Sequence, residues 1–248
     1  MTSYTQAQFD GNYPPGIERH FWISARNAII HNMLIGAGMG GDKLLDIGCG
    51  RGIVVAYLRA RGVDCLGSEL AVPMIAESLS PYIRTGADAA DLPATLRNTI
   101  KGILLLDVIE HIEDAPAFLR RMAAAFPKAS RFFITVPAQP ELWSDWDNHY
   151  GHYRRYTPET LREAVLAAGL RPAKLRGFFH SLYIPMRLMS LMGIKRRTEE
   201  TAPRRPAVHA LMAGMFRWEA RLIPGRIPGS SLCMIANNPD LTSGDKTA

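Results

Sequence analysis

The sequence predicts an α/β fold, a doubly wound and mostly parallel sheet, and three observations carry that expectation. Short apolar runs recur at 43–48, 63–68, 102–108 and 131–137. They are apolar throughout, not only at every second position, as strands covered on both faces are. Stretches with helical spacing separate them, and such alternation builds parallel sheets through helical crossovers.

The elements follow in order. After the polar opening MTSYTQAQFDGNYPPG, the stretch GIERHFWISARNAII reads as an amphipathic helix within an N-terminal helical cap, residues 1–40. KLLDIGCGRG, Lys43 to Gly52, is a strand running into a bend with glycines at 48, 50 and 52. Residues 52–61 then place Ile53, Ala56, Tyr57 and Ala60 on one helical face, and Asp114 to Phe126 opens on acidic caps before Ala117, Phe118, Arg121 and Met122. TPETLREAVLAAGL has a Thr157 cap, Pro158 in the first turn and a stop at Gly169. Strands are expected at 173–179 and 231–236, with a helical insertion at 180–229 between them, long for a connection and rich in Met, Arg and Pro.

At 248 residues, 47% apolar and 21% charged, the chain suits a single domain, 1–248, around one large core. No apolar run approaches the ~18 residues of a membrane span, and the opening lacks a charged segment followed by an apolar one, so the reading is cytoplasmic. Cys49, Cys65 and Cys233 are odd in number and scattered, which argues against a disulfide framework and a zinc site. Charge is divided: residues 1–148 hold 13 Lys/Arg against 16 Asp/Glu, residues 149–248 hold 16 against 7. The second half should prefer anionic neighbours. Without a helix-turn-helix, zinc-finger or RNA-binding aromatic signature, nucleic acid is set aside in favour of a membrane surface or an acidic small substrate.

The glycine bend indicates a ligand. Glycines after a strand let backbone amides approach a bound group closely, with the carboxylate of Asp46 at the strand's end. A dinucleotide fingerprint needs glycine or alanine at its sixth position, where this chain has Ile53. A pyrophosphate has no use for Asp46, whereas a ligand with an amino group and a sulfonium does.

From about Asn12 to Asn238 the chain resembles the class I S-adenosylmethionine-dependent methyltransferases, through several motifs in the family's order. The resemblance implies a seven-stranded Rossmann-like sheet and S-adenosyl-L-methionine as cofactor. LLDIGCGRG is similar to the family's first motif, with Asp46 and Gly48 near the methionine portion, Gly50 near the nucleoside and Cys49 between them. In CLGSEL, Glu69 would accept from the ribose hydroxyls beside Leu70; its plain alternative is a solvated carboxylate at a strand end. GADAADLP would set Asp88 against the adenine amino group, with Ala89 contributing backbone, and LLLDVIEHIED would put Asp107 and Val108 beneath the sulfonium. Trp22 and Arg26 match a segment recurring in bacterial members and would lie by cofactor or substrate, or serve only to pack the cap on the sheet.

VPAQPELWSDWDNHYGHYRRYTPETL looks like a subgroup of uncharacterised or lipid- and quinone-directed methyltransferases that share a tryptophan followed by G-H-x-R-R-Y. It reads as a substrate lid over 141–156, with Trp143, Arg154 and Tyr156 as substrate contacts and His149 and His152 as candidate general bases; the alternative is a solvated basic turn. His111 is a third candidate base. Asp107, Glu110 and His111 resemble an element that some quinone methyltransferases use near a divalent cation, but those carry Glu where this chain has Asp107, and no metal is assigned.

The resemblance implies in-line displacement of the methyl group onto a small-molecule acceptor, amphiphilic and quinone-, lipid- or glycan-like. Fold and cofactor site alone do not prove turnover, so a non-catalytic S-adenosylmethionine-binding protein stays as the alternative, ahead of an NAD-type oxidoreductase. The insertion pairs FFHSLYIPMRLMSLMG with Lys195, Arg196 and Arg197, which suits peripheral contact with the inner membrane face. A helix pair packed on the sheet through Met186, Leu188 and Met192, or a homodimer contact, is the other use of it.

Overall fold

The computed structural model describes residues 14–194 and 204–242. Its strands are β1 (Leu44–Ile47), β2 (Cys65–Glu69), β3 (Ile83–Thr85), β4 (Gly102–Leu106), β5 (Arg131–Pro137), β6 (Arg171–Phe178) and β7 (Ser231–Asn237). The helices are α1 (Phe21–Gly36), α2 (Ile53–Arg59), α3 (Ala94–Arg97), α4 (Ala115–Ala125), α5 (Asp145–His149), α6 (Pro158–Ala167), α7 (His180–Leu191), α8 (Pro206–Leu222) and α9 (Pro239–Thr242).

The strands form one sheet in the order β3-β2-β1-β4-β5-β7-β6. The five from β3 to β5 run parallel, and β7 runs antiparallel between β5 and β6. Alternate residues of the central strands enter two different cores, which is why the runs are apolar throughout. Leu45, Ile103 and Ile134 pack with Phe118 and Met122 of α4 and Val165 of α6. Leu44, Leu104 and Phe133 pack on the other face with Ile30 and Leu34 of α1, Leu58 of α2 and Phe216 of α8. Each such side chain contributes about 1.5–3 kcal/mol of burial, so the sheet centre is a rigid base for what stands at its carboxyl edge.

Two helical faces differ from expectation. In α2 the buried residues are Val55 and Leu58, while Ile53, Ala56 and Tyr57 are half-buried and Ala60 is exposed. The helix leaves Gly52 in a left-handed conformation, φ 80°, and that exit sets its rotation on the sheet. In α4 the core takes Ala115, Phe118, Leu119, Met122 and Ala125, leaving Arg121 exposed. Thr157 caps α6 as read, with Pro158 at its first position and Gly169 left-handed beyond its end.

The insertion is helical, formed by α7 and α8. Lys195, Arg196 and Arg197, expected to face lipid phosphates, lie outside the described residues. All three cysteines are free thiols. Among the described residues, no helix is long and apolar enough to cross a membrane.

Candidate active site

A cavity of about 530 Å³ opens at the carboxyl ends of β1, β2 and β4, where ligands bind in sheets of this topology. The start of α1, the segment around α5 and one face of α7 complete its wall.

One end is built from carboxylates. Gly48, Gly50 and Gly52 all take positive φ, 77°, 56° and 80°, which turns the chain sharply between β1 and α2. A Cβ on Gly48 would sit 2.9 Å from Val108 Cγ2, so the bend also needs glycine for closeness. Glu69 braces this bend: its Oε2 accepts from the Gly50 amide at 2.9 Å and its Oε1 from the Ala71 amide at 3.1 Å. Asp46 is buried, and its Oδ1 has no partner among the described residues. Burial raises its pKa to about 7 against the pull of Arg26, with Glu69 and Asp107 adding to the rise. Asp107, itself at φ 60°, accepts from Thr135 Oγ1 at 3.0 Å and pairs with the Arg26 guanidinium at 2.6 Å. Three carboxylates around one guanidinium disfavour a pyrophosphate and favour a cationic ligand.

The other end gathers titratable groups. Asp147 is fully buried and receives Arg155 Nε at 2.8 Å and Nη2 at 3.0 Å, the Ser144 amide at 2.9 Å and Ser144 Oγ at 3.2 Å. Its Oδ1 also lies 2.8 Å from His152 Nδ1. Burial would push this carboxyl up, but the hydrogen bonds from His152 and Arg155 outweigh it and hold the pKa at about 2. Asp147 is therefore ionised, and the His152 tautomer that donates from Nδ1 leaves Nε2 as the acceptor. The His111 ring meets His152 edge-on, centroids 4.6 Å apart, and burial together with His152 lowers its pKa to about 4. Glu110 is fully buried with neither carboxylate oxygen partnered among the described residues, and burial followed by Asp107 raises its pKa well above the ordinary range. Glu110, His111 and His152 bring one ligating atom each within 4.8 Å of one another, so this group is where a metal ion could sit.

Residues 21–175, more than half of the chain, match the family described as "Methyltransferase domain". The chain belongs to that family. It is 26% identical over 117 residues to the ubiquinone biosynthesis O-methyltransferase of Pseudomonas syringae pv. tomato, covering 43% of this chain and 50% of the relative. With the protein of the same name from Methylobacterium nodulans the figures are 29% over 153 residues, 52% and 59%. The chain thus spans about half the length of the curated relatives it matches. In fold it is similar to the Haemonchus contortus phosphoethanolamine N-methyltransferase 2 solved with S-adenosyl-L-methionine, with TM-score 0.57 and 17% identity over 96% of this chain and 60% of the other.

In this methyltransferase domain Asp46, Gly48, Gly50, Glu69, Leu70, Asp88, Ala89, Asp107 and Val108 all line the cavity, and so do Trp22, Arg26, His111 and His152. Several side chains read as site residues do not. Cys49 turns its thiol onto Gly67 of β2, where an added Cβ would meet its Sγ at 2.6 Å. His149 is exposed at the end of α5 with its ring edge-on to Tyr150. Trp143 Nε1 donates to Asn148, and Arg154 Nη2 donates to the Glu113 carbonyl outside the cavity. Tyr156 is buried in the core beneath the site, its hydroxyl donating to the Ile109 carbonyl at 3.3 Å.

Two cavity residues are more occupied than their sequence reading implied. Asp88 caps the turn at Ala90 and pairs with Arg121 at 2.8 Å, and the Trp22 ring already faces the Arg26 guanidinium at 5.4 Å. Reasoning from sequence missed Trp146, Tyr150 and Arg155, which line the cavity in place of Trp143, His149 and Arg154. The four-residue spacing of Trp146 and Tyr150 on one helical face was the available signal.

Proposed function

We propose that the chain is an S-adenosylmethionine-dependent methyltransferase that methylates a hydroxyl of a small amphiphilic acceptor of quinone type. The observation that carries the reading is His152, anchored at Nδ1 by buried Asp147 in the same cavity as the carboxylate cradle. Such a dyad suits an acceptor that must lose a proton.

The cradle fits the cofactor. Asp46, with an unpartnered oxygen, suits the amino group, the Gly48–Gly50 bend leaves room for close approach, and Glu69 retains lone pairs for ribose hydroxyls. Bound S-adenosylmethionine supplies a methyl group made electrophilic by its sulfonium. Asp46 and Asp107 would hold the cationic end of that cofactor. His152 Nε2 takes the acceptor's proton, and Asp147 stabilises the resulting imidazolium. His111, neutral down to a pKa of about 4, adds no competing charge. Leu182, Met186 and Met189 give the acceptor an apolar bed and exclude water.

The relatives' name, ubiquinone biosynthesis O-methyltransferase, supports oxygen as the target. An amphiphile of this kind partitions into bilayers, so the reading has the chain work in the cytoplasm at the inner membrane face. The test is incubation with methyl-labelled S-adenosylmethionine and a catechol bearing a prenyl tail. Label on a phenolic oxygen is expected; tight S-adenosylhomocysteine binding without transfer to this probe or to other hydroxylated amphiphiles would reject the reading.

A further inference from the structure

Helix α8 carries two apolar stripes, although one is enough to hold a helix on a protein core. Ala213, Phe216 and Ala220 are buried, and through them the helix packs on α1. On the opposite side Val208, Leu211, Met215, Trp218 and Leu222, spaced three and four residues apart, are 48–71% exposed. Helix α7 repeats the arrangement. Leu182, Pro185, Met186 and Met189 line the acceptor end of the cavity, while Ile184, Leu188 and Leu191 are 51–66% exposed. Leu188 and Met192, expected in the core if this were only a packed helix pair, are thus at the surface.

Basic side chains predominate around these stripes; beside α7 the exposed Glu141 carboxylate accepts from the Tyr183 hydroxyl at 2.9 Å. Arg217 and Arg221 are exposed beside the α8 stripe, and Arg204, Arg205 and Arg226 are exposed at its two ends. The one acid in the two helices, Glu219, is half-buried and engaged at the first turn of α7, where it accepts from the His180 amide at 2.5 Å and from the Ser181 amide at 3.0 Å. A second copy of the chain is a poor match for this face. A two-fold contact sets a patch against itself, which would bring arginines against arginines, with Glu219 of α8 already engaged by the first turn of α7. Lipid phosphates supply the missing charge, and the headgroup–acyl boundary takes the apolar stripe.

We propose that the outer faces of α7 and α8 seat the chain on an anionic bilayer, with the exposed stripes at the acyl boundary and the arginines at the phosphates. Helix α7 then stands between lipid on one side and the cavity on the other, and an amphiphilic acceptor has one helix to pass. This surface deepens the function proposed above, but its test needs no methyl transfer.

The experiment is flotation of the full chain with phosphatidylglycerol-containing and with pure phosphatidylcholine vesicles, following Trp218 emission alongside. Flotation with the anionic vesicles alone, reversed by salt and accompanied by a blue shift that Trp218→Gln removes, is expected. The double variants Leu211→Gln/Trp218→Gln and Arg217→Gln/Arg221→Gln should each partition at least about tenfold more weakly, with S-adenosylhomocysteine affinity intact as the check on folding. Absence of flotation on any vesicle, or equal flotation of folded double variants, would overturn the proposal. So would a stable dimer that Leu211→Gln dissolves. None of these results would touch the methyl-transfer reading, which fails only in the labelling experiment.

Discussion

Arg26 of α1 donates to Asp107 at the carboxyl end of β4 over 2.6 Å, joining the cap helix to the floor of the cavity. The arginine side chain is 9% exposed and the aspartate 29%, so solvent screens the pair only in part. The same guanidinium lowers the pKa of Asp46 against burial and donates to Thr135 Oγ1 at 3.4 Å. One cation therefore balances a cradle otherwise made of carboxylates.

Removing that cation should cost stability. Arg26→Met leaves Asp107 beside Asp46 and Glu69 without compensation, and a loss of about 2 kcal/mol is expected in urea unfolding, less than for a fully buried pair because Asp107 is partly solvated. Asp107→Asn, which removes a negative charge as well, should cost less. The reverse order would show that Arg26 matters through packing alone.

The pKa of Asp46 predicts opposite effects of pH on binding and on stability. In the unfolded chain it ionises near 3.8, in the fold at about 7, so the fold holds the proton between those values. Stability is lost as pH rises across that interval, and the loss is complete above about 7. Asp46→Asn should therefore stabilise the fold at pH 8, by at most about 4 kcal/mol, with no gain below pH 4. Affinity for S-adenosylhomocysteine, whose amino group is cationic, should rise in the wild type as pH passes 7. A flat calorimetric profile from pH 5 to 9 would exclude Asp46 as its counter-charge.

The glycine bend and Glu69 should be needed together. Gly50→Val forces a branched side chain into φ 56°, a conformation it resists, and Glu69→Ala removes both the brace on the Gly50 amide and the ribose acceptor. Each should weaken S-adenosylhomocysteine binding by about 1–3 kcal/mol. Unchanged affinity in both folded variants would mean that the cofactor lies elsewhere.

The histidine dyad separates chemistry from binding. His152→Ala should lower turnover of the catechol probe by about 10²–10⁴-fold with cofactor affinity intact. Arg154→Ala, whose guanidinium lies outside the cavity, should change turnover little. Asp147→Asn should lower turnover as well, because the amide does not fix the imidazole tautomer; nitrogen NMR of His152 would read that tautomer directly. If a chelator abolished turnover and added Mg²⁺ restored it, the Glu110–His111–His152 group would be holding a metal instead of handling a proton.

The sequence by itself determined the sheet, the cradle and the crossover helices. Local signals sufficed there: uniformly apolar strands, glycines that must adopt positive φ, and Asp46, Glu69 and Asp107, each within one residue of a strand end, so that the parallel order places them on one edge. β3 escaped notice because its three residues are too few to show a period. Tertiary structure decided which side chains of 141–156 turn inward. That segment docks through the Tyr153 amide on the Glu110 carbonyl and a bridge between Ala138 and Tyr156, contacts distant in sequence, and they bring Arg155 into the cavity instead of its neighbour Arg154. It also decided that both apolar faces of α7 and α8 are real but only one of each is covered, since composition cannot tell a stripe facing a core or a cavity from one left facing outward.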